Sequence, residues 1–183
     1  MRKRVIISVG ICLVLSLVVG ISSYVNRETH VIDHAKLFQY SSADDVERAS
    51  DLIVEVQKID EKPITYNLGE GHYDNLTLSK VKIEKVVKPF SEKKLSQGDT
   101  IWIVESQWSD EKNRVVHHTE NYLKMAVNKE YRLYLGYNSE VDNYYPVGLL
   151  YGKIPMDTAE NVFYGELNND KIKTIVEELR ENI

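Results

Sequence analysis

Asp51-Leu52-Ile53-Val54-Glu55-Val56-Gln57-Lys58-Ile59 decides the fold. The stretch is rich in β-branched residues, and Leu52, Val54 and Val56 recur every second position, the period of a strand with one buried face. Downstream, Leu76 to Lys88 reads as a second long strand, bounded by the Gly69–Asn75 turn before it and by Pro89 after it. Its inward phase passes from Leu76 and Leu78 to Val81 and Ile83, which predicts a bulge near Ser79-Lys80. Thr100 to Trp108 follows Gly98-Asp99, and Ile101 and Ile103 alternate there with Trp102 and Val104, as in a strand covered on both faces. Ser109 to Glu120 is a charged loop or hairpin tip. Tyr131 to Tyr137 and Asn143 to Tyr151 are two further strands, the second with Tyr145, Val147, Leu149 and Tyr151 on one face, and a last extended piece surrounds Val162-Phe163-Tyr164.

Two helices frame these strands. Ser41 with Asp44, or Ser42 with Asp45, forms a capping box ahead of a short helix that ends near Ser50. At the other end Ile172, Ile175, Val176, Leu179 and Ile183 fall at helical spacing behind Asn168-Asn169-Asp170, so an amphipathic helix lies on the sheet. The chain is therefore mainly β. About six short strands suit a small OB-like β-barrel, since closure removes edge strands; a two-sheet sandwich is the second reading.

Ahead of this domain, Val5 to Val25 holds no charged side chain and follows Met1-Arg2-Lys3-Arg4. As a helix it covers about 30 Å, the thickness of a bilayer's hydrocarbon core. The basic residues before it favour a cytoplasmic N-terminus and an exported remainder. The expected organisation is a membrane anchor over 1–25, a linker over 26–41 and an extracytoplasmic domain over 42–183, single-pass in the cell membrane. Gly20 and Ser22 also leave open a secreted form, cut near Ser22.

Of the 23 Lys and Arg, three precede the apolar run; the remaining 20 face 28 Asp and Glu, a net charge of −8. An acidic surface argues against nucleic acid. The single cysteine, Cys12, lies within the apolar run, so the exported part has neither disulfide nor thiolate chemistry.

Ser50-Asp51-Leu52-Ile53-Val54, Val81 to Lys88, Gly98-Asp99-Thr100-Ile101 and Glu130 to Leu135 resemble segments of small OB-like or netrin-like β-barrel domains found in exported Gram-positive proteins. The resemblance spans residues 42–156 and implies a fold and a compartment without an active residue. Netrin-like metalloprotease inhibitors act through an N-terminal cysteine, which the exported part lacks.

No cofactor is expected. Candidate contact residues are Tyr134, Tyr137, Tyr144 and Trp108, large amphipathic rings suited to stacking on a cell-wall polymer or docking a protein partner. A weaker alternative is a metal site of His117, His118 and Glu120, supporting a metal-dependent envelope hydrolase; adjacent strand residues face opposite ways, so the two imidazoles share an ion only in a loop. The leading expectation is a binding or interaction module without catalysis, and a structural subunit of a membrane complex is the third.

Overall fold

The computed structural model describes residues 28–183, so the Val5–Val25 segment lies outside the described residues. Among the described residues no helix is long and apolar enough to cross a membrane. Among the described residues the protein is mainly β, with two short helices. In order come β1 (Thr29–Asp33), α1 (Ala43–Ala49), β2 (Leu52–Gly69), β3 (His72–Lys88), β4 (Thr100–Glu105), β5 (Gln107–Asp110), β6 (Val115–Thr119), β7 (Glu130–Asn138), β8 (Asn143–Pro146), β9 (Lys153–Pro155) and α2 (Asp170–Glu181).

Five strands close a barrel in the order β2-β3-β4-β8-β7, and β2 returns to β7 from Leu52↔Leu135 to Gln57↔Glu130. Only β4 and β8 run parallel within this ring, through Ile103↔Tyr144. Leu52, Val54, Val56, Val81, Ile83, Ile103, Leu133 and Leu135 fill the interior, so the predicted inward face of the first strand is the barrel lining. The phase change on β3 falls elsewhere than expected. Thr77 and Ser79 share the buried parity of Val81 and Ile83, and the phase moves at Glu84, where Val56↔Ile83 gives way to Glu55↔Lys85. An extra residue near Ser79-Lys80 does exist, but it is Ile59 on the partner strand. The apolar pattern misplaced the bulge because two hydroxyl residues take buried positions and satisfy them with hydrogen bonds: Thr77 Oγ1 donates to the Gln107 carbonyl at 2.5 Å and Ser79 Oγ to the Glu105 carboxylate.

A second core lies outside the barrel. Ile53, Tyr134 and Ile154 cover the outer wall of β2, β7 and β9, and α1 and α2 close over them with Val46, Ile172, Ile175, Val176 and Leu179. Ser42 caps α1, accepting from the Asp45 amide at 3.3 Å, while Asp45 accepts from the Ser41 amide at 3.1 Å. Asn169 caps α2 through the Ile172 amide at 3.1 Å. Ile183 falls beyond α2 and is exposed. The strand expected to run to Tyr151 stops at Pro146, because Gly148 and Leu149 both adopt positive φ and turn the chain back. Val147, Leu150 and Tyr151 then join the second core. The Val162–Tyr164 piece contributes one bridge, Tyr122↔Phe163. Part of the expected linker is also structured: β1 pairs in parallel with β6, which forms the charged hairpin with β5.

Leu133 is fully buried and Ile183 is 40% exposed. Leu133→Ala is expected to lower unfolding stability by about 2–5 kcal/mol. Ile183→Ala should stay within about 0.5 kcal/mol of wild type. Urea denaturation monitored by fluorescence measures both.

Candidate functional site

Inside the barrel, one end is sealed by a polar plug. Glu105, at the end of β4, is wholly buried and accepts from Lys58 Nζ at 3.1 Å, the Tyr122 hydroxyl at 3.0 Å, the Met125 amide at 2.8 Å and Ser79 Oγ. Lys58, equally buried, also donates to Glu61 at 2.5 Å and to the Met125 carbonyl at 2.7 Å. Each ammonium proton thus has an acceptor, which is what makes a buried ion pair tolerable. Burial pushes the Glu61 carboxyl up, but hydrogen bonds from Lys124 and Lys58 outweigh it and hold its pKa below the ordinary value. Lys153 is poorly supplied by comparison: its Nζ reaches the Val162 carbonyl at 3.5 Å and lies 5.4 and 5.7 Å from the ring centres of Tyr131 and Tyr122. Burial lowers its pKa to about 8. At the other end Phe90 and Tyr137 pack over Tyr144, with centroids 5.2 and 5.0 Å apart along the series. With its interior filled by its own side chains, the barrel offers surface to solvent on its exterior.

Most of the tyrosines named from sequence are not on that exterior. Tyr134 is 1% exposed and Tyr144 is 2% exposed. Alternation does put Tyr134 on the outer wall, but the two helices cover that wall; Tyr144 faces the barrel interior. Tyr137 is half-buried, donates to Asp142 at 2.8 Å and has Lys93 Nζ 4.6 Å from its ring centre. Trp108 stacks on His117 at 4.1 Å with 2° between the planes. Tyr137 and Tyr144 come together; Tyr134 and Trp108 lie elsewhere. Among the described residues the strongly exposed tyrosines are Tyr73 and Tyr145, and Tyr145 lies across Gly136, where a Cβ would come within 2.5 Å of its ring.

The histidines separate as strand alternation requires. His117 Nδ1 meets Asp33 Oδ2 at 2.9 Å, whereas His118 is buried, with its Nδ1 donating to the Tyr122 carbonyl at 2.9 Å. Glu120 accepts from the Ala35 amide at 2.6 Å. His117, His118 and Glu120 thus engage three different neighbours, and among the described residues no three such side chains gather where they could hold a metal ion.

A different exterior patch stands out on the outer wall of β2, β3 and β4. Cross-strand partners share a face, so Lys62, Leu78 and Val104 form one row and Lys80 with Trp102 the next. Lys62 Nζ and Lys80 Nζ lie 4.8 and 5.8 Å from the Trp102 ring centre, within cation–π range. Among the described residues neither lysine makes an ion pair. The outer part of the β2–β3 hairpin bends over this wall, since Asn143 Nδ2 on β8 donates to the Tyr66 hydroxyl at 3.2 Å. Toward the opposite, inward face of the same hairpin lies a cavity of about 360 Å³ lined by Glu61, Lys62, Pro63, Thr77, Ser109, Glu111 and Lys124. Trp102 is inconspicuous in the sequence because Ile101 and Ile103 flank it and its lysines come from other strands. No known family model matches the chain, and comparison with characterised proteins gives no match.

A double-mutant cycle of Lys58→Met and Glu105→Gln in urea should give a coupling of about 1–3 kcal/mol, whereas additivity within about 0.5 kcal/mol would contradict the plug. Lys153 binds its proton more weakly folded than unfolded, so its contribution to stability is present above its ordinary pKa of 10.5 and is lost as pH falls through about 8. Lys153→Met should therefore raise stability at neutral pH, by about 1–3 kcal/mol. It should also flatten the rise in stability that wild type shows between the two pKa values.

Proposed function

We propose that this chain is a membrane-anchored, extracytoplasmic binding module with an OB-like barrel. It holds an anionic, sugar-containing polymer of the cell envelope on the outer wall around Trp102. The barrel order β2-β3-β4-β8-β7, with β4 and β8 parallel, supports the OB-like reading. In that architecture the outer face of the second and third strands is a common site for oligosaccharides and oligonucleotides, an argument by analogy of fold. Here those strands are β3 and β4. The apolar Val5–Val25 run behind Arg2, Lys3 and Arg4 supports anchoring with the domain outside.

The observation that carries the reading is Trp102 with Lys62 and Lys80 over its ring on an acidic domain; among the described residues neither ammonium group makes an ion pair, although Asp60 stands opposite Lys80 on β2. An indole face suits the C–H face of a sugar ring, and the lysines favour an anionic substituent. The net charge of −8 on the domain opposes a long polyanion lying across the rest of the surface. The site is thus suited to a short stretch of polymer, and binding weakens as salt screens the two lysines.

Calorimetry of the full chain in detergent against a purified envelope polymer tests this. Wild type should bind at low ionic strength, and Trp102→Ala and Lys62→Ser/Lys80→Ser should each weaken binding by about tenfold or more, equivalent to 1.4 kcal/mol. Tyr145→Ala should bind as wild type. Equal affinities across these variants, or no binding at low salt, would contradict the proposal.

A further inference from the structure

Four of the five histidines in the chain meet where β1 lies against β6. His30 Nδ1 and His118 Nε2 face each other at 3.0 Å, and His117 meets Asp33. His34 lies 3.5 Å from Glu120, whose own amide donates to the Asp33 carbonyl at 2.7 Å. Tyr164 stacks on both rings of the facing pair, 3.8 Å from His118 and 4.9 Å from His30. We infer that the His30–His118 contact is a proton-sensitive clasp that holds β1 on β6 at neutral pH and releases it in acid.

His118 Nδ1 is committed as a donor to the Tyr122 carbonyl, so Nε2 of the neutral ring is a lone pair and His30 Nδ1 carries the bonding hydrogen. One added proton can be accommodated: His118 Nε2 becomes the donor and the His30 hydrogen moves to its other nitrogen. A second proton leaves N–H facing N–H at a contact whose His118 side is only 1% exposed. Burial already disfavours the charged His118 ring, as do the nearby His30 and His117, while Tyr122 and Asp33 act the other way. Two outer pairs oppose release, since protonating His117 or His34 strengthens its contact with Asp33 or Glu120. Each of those pairs has one solvent-exposed member, Asp33 at 52% and His34 at 86%, so they count for less than a contact that, although His30 is exposed, has His118 buried on its other side. Once β1 is free, the stretch from Thr29 to Ser42 becomes a lead of up to about 45 Å between α1 and the N-terminal segment.

Hydrogen exchange on the full chain in lipid nanodiscs tests the clasp. Between about pH 7.5 and about pH 5, the protection of the Thr29–Asp33 amides, corrected for intrinsic exchange, should fall by about tenfold or more while that of Tyr131–Leu135 is unchanged. In His30→Gln the amide can present either a donor or an acceptor to His118, so the fall should disappear; in His117→Gln it should persist. Should His30→Gln leave β1 unprotected at both pH values, the ¹⁵N signals of the wild-type rings decide. They should show His118 protonated on Nδ1 alone at neutral pH and on both nitrogens when β1 is lost. Protection that is constant or rises in acid, an equal fall in His30→Gln, or a His118 ring carrying its neutral proton on Nε2 would each overturn the inference.

Discussion

Glu105 is the residue on which the arrangement of the barrel turns. It ends β4, yet its two oxygens bind Lys58 of β2, Ser79 of β3 and the Tyr122–Met125 segment that leads into β7. Three other stretches of chain are thereby fixed to one carboxylate. A buried ion pair is a poor source of net stability, because desolvating both charges costs about as much as their attraction returns. Its effect here is specificity. A chain paired in any other register would bury the same two charges apart, which is far more costly.

This constraint explains where the remaining chemistry is placed. With the plug at one end and Phe90, Tyr137 and Tyr144 at the other, the barrel interior is occupied by its own side chains. The outer wall of β2 and β7 is then taken by α1 and α2 through Ile53 and Tyr134. The outer wall of β3 and β4, with Trp102 and its two lysines, and the small sheet of β1, β6 and β5 are left uncovered by these helices. One carries the proposed ligand. The other joins the domain to the N-terminal segment.

Much of the fold was legible in the sequence. Leu52, Val54 and Val56 announced the lining of the barrel, Ser42 and Asn169 the starts of the helices, and Ile172 to Leu179 the face that α2 buries. What sequence concealed is physical in origin. Ser79 and Thr77 point inward because partners distant in the chain satisfy their hydroxyls, and hydropathy cannot see such partners. Tyr134 occupies the outer face that alternation assigns, but whether an outer face meets water depends on what packs over it. Strand β1 was hidden because its five residues, Thr29 to Asp33, form a short exposed edge held by contacts to β6 and Glu120 instead of an apolar face. The site itself was the least legible part. Its ring and its two lysines lie on three strands, and only their pairing register brings them together.

The most direct measurement is an amide chemical-shift map of the full chain in micelles, titrated with an anionic envelope polysaccharide. Perturbations should be confined to Lys62, Leu78, Lys80, Trp102 and Val104 and to the indole N–H of Trp102. Shifts centred instead on Tyr73 or Tyr145, or a spectrum indifferent to the polysaccharide at low salt, would contradict the proposed site.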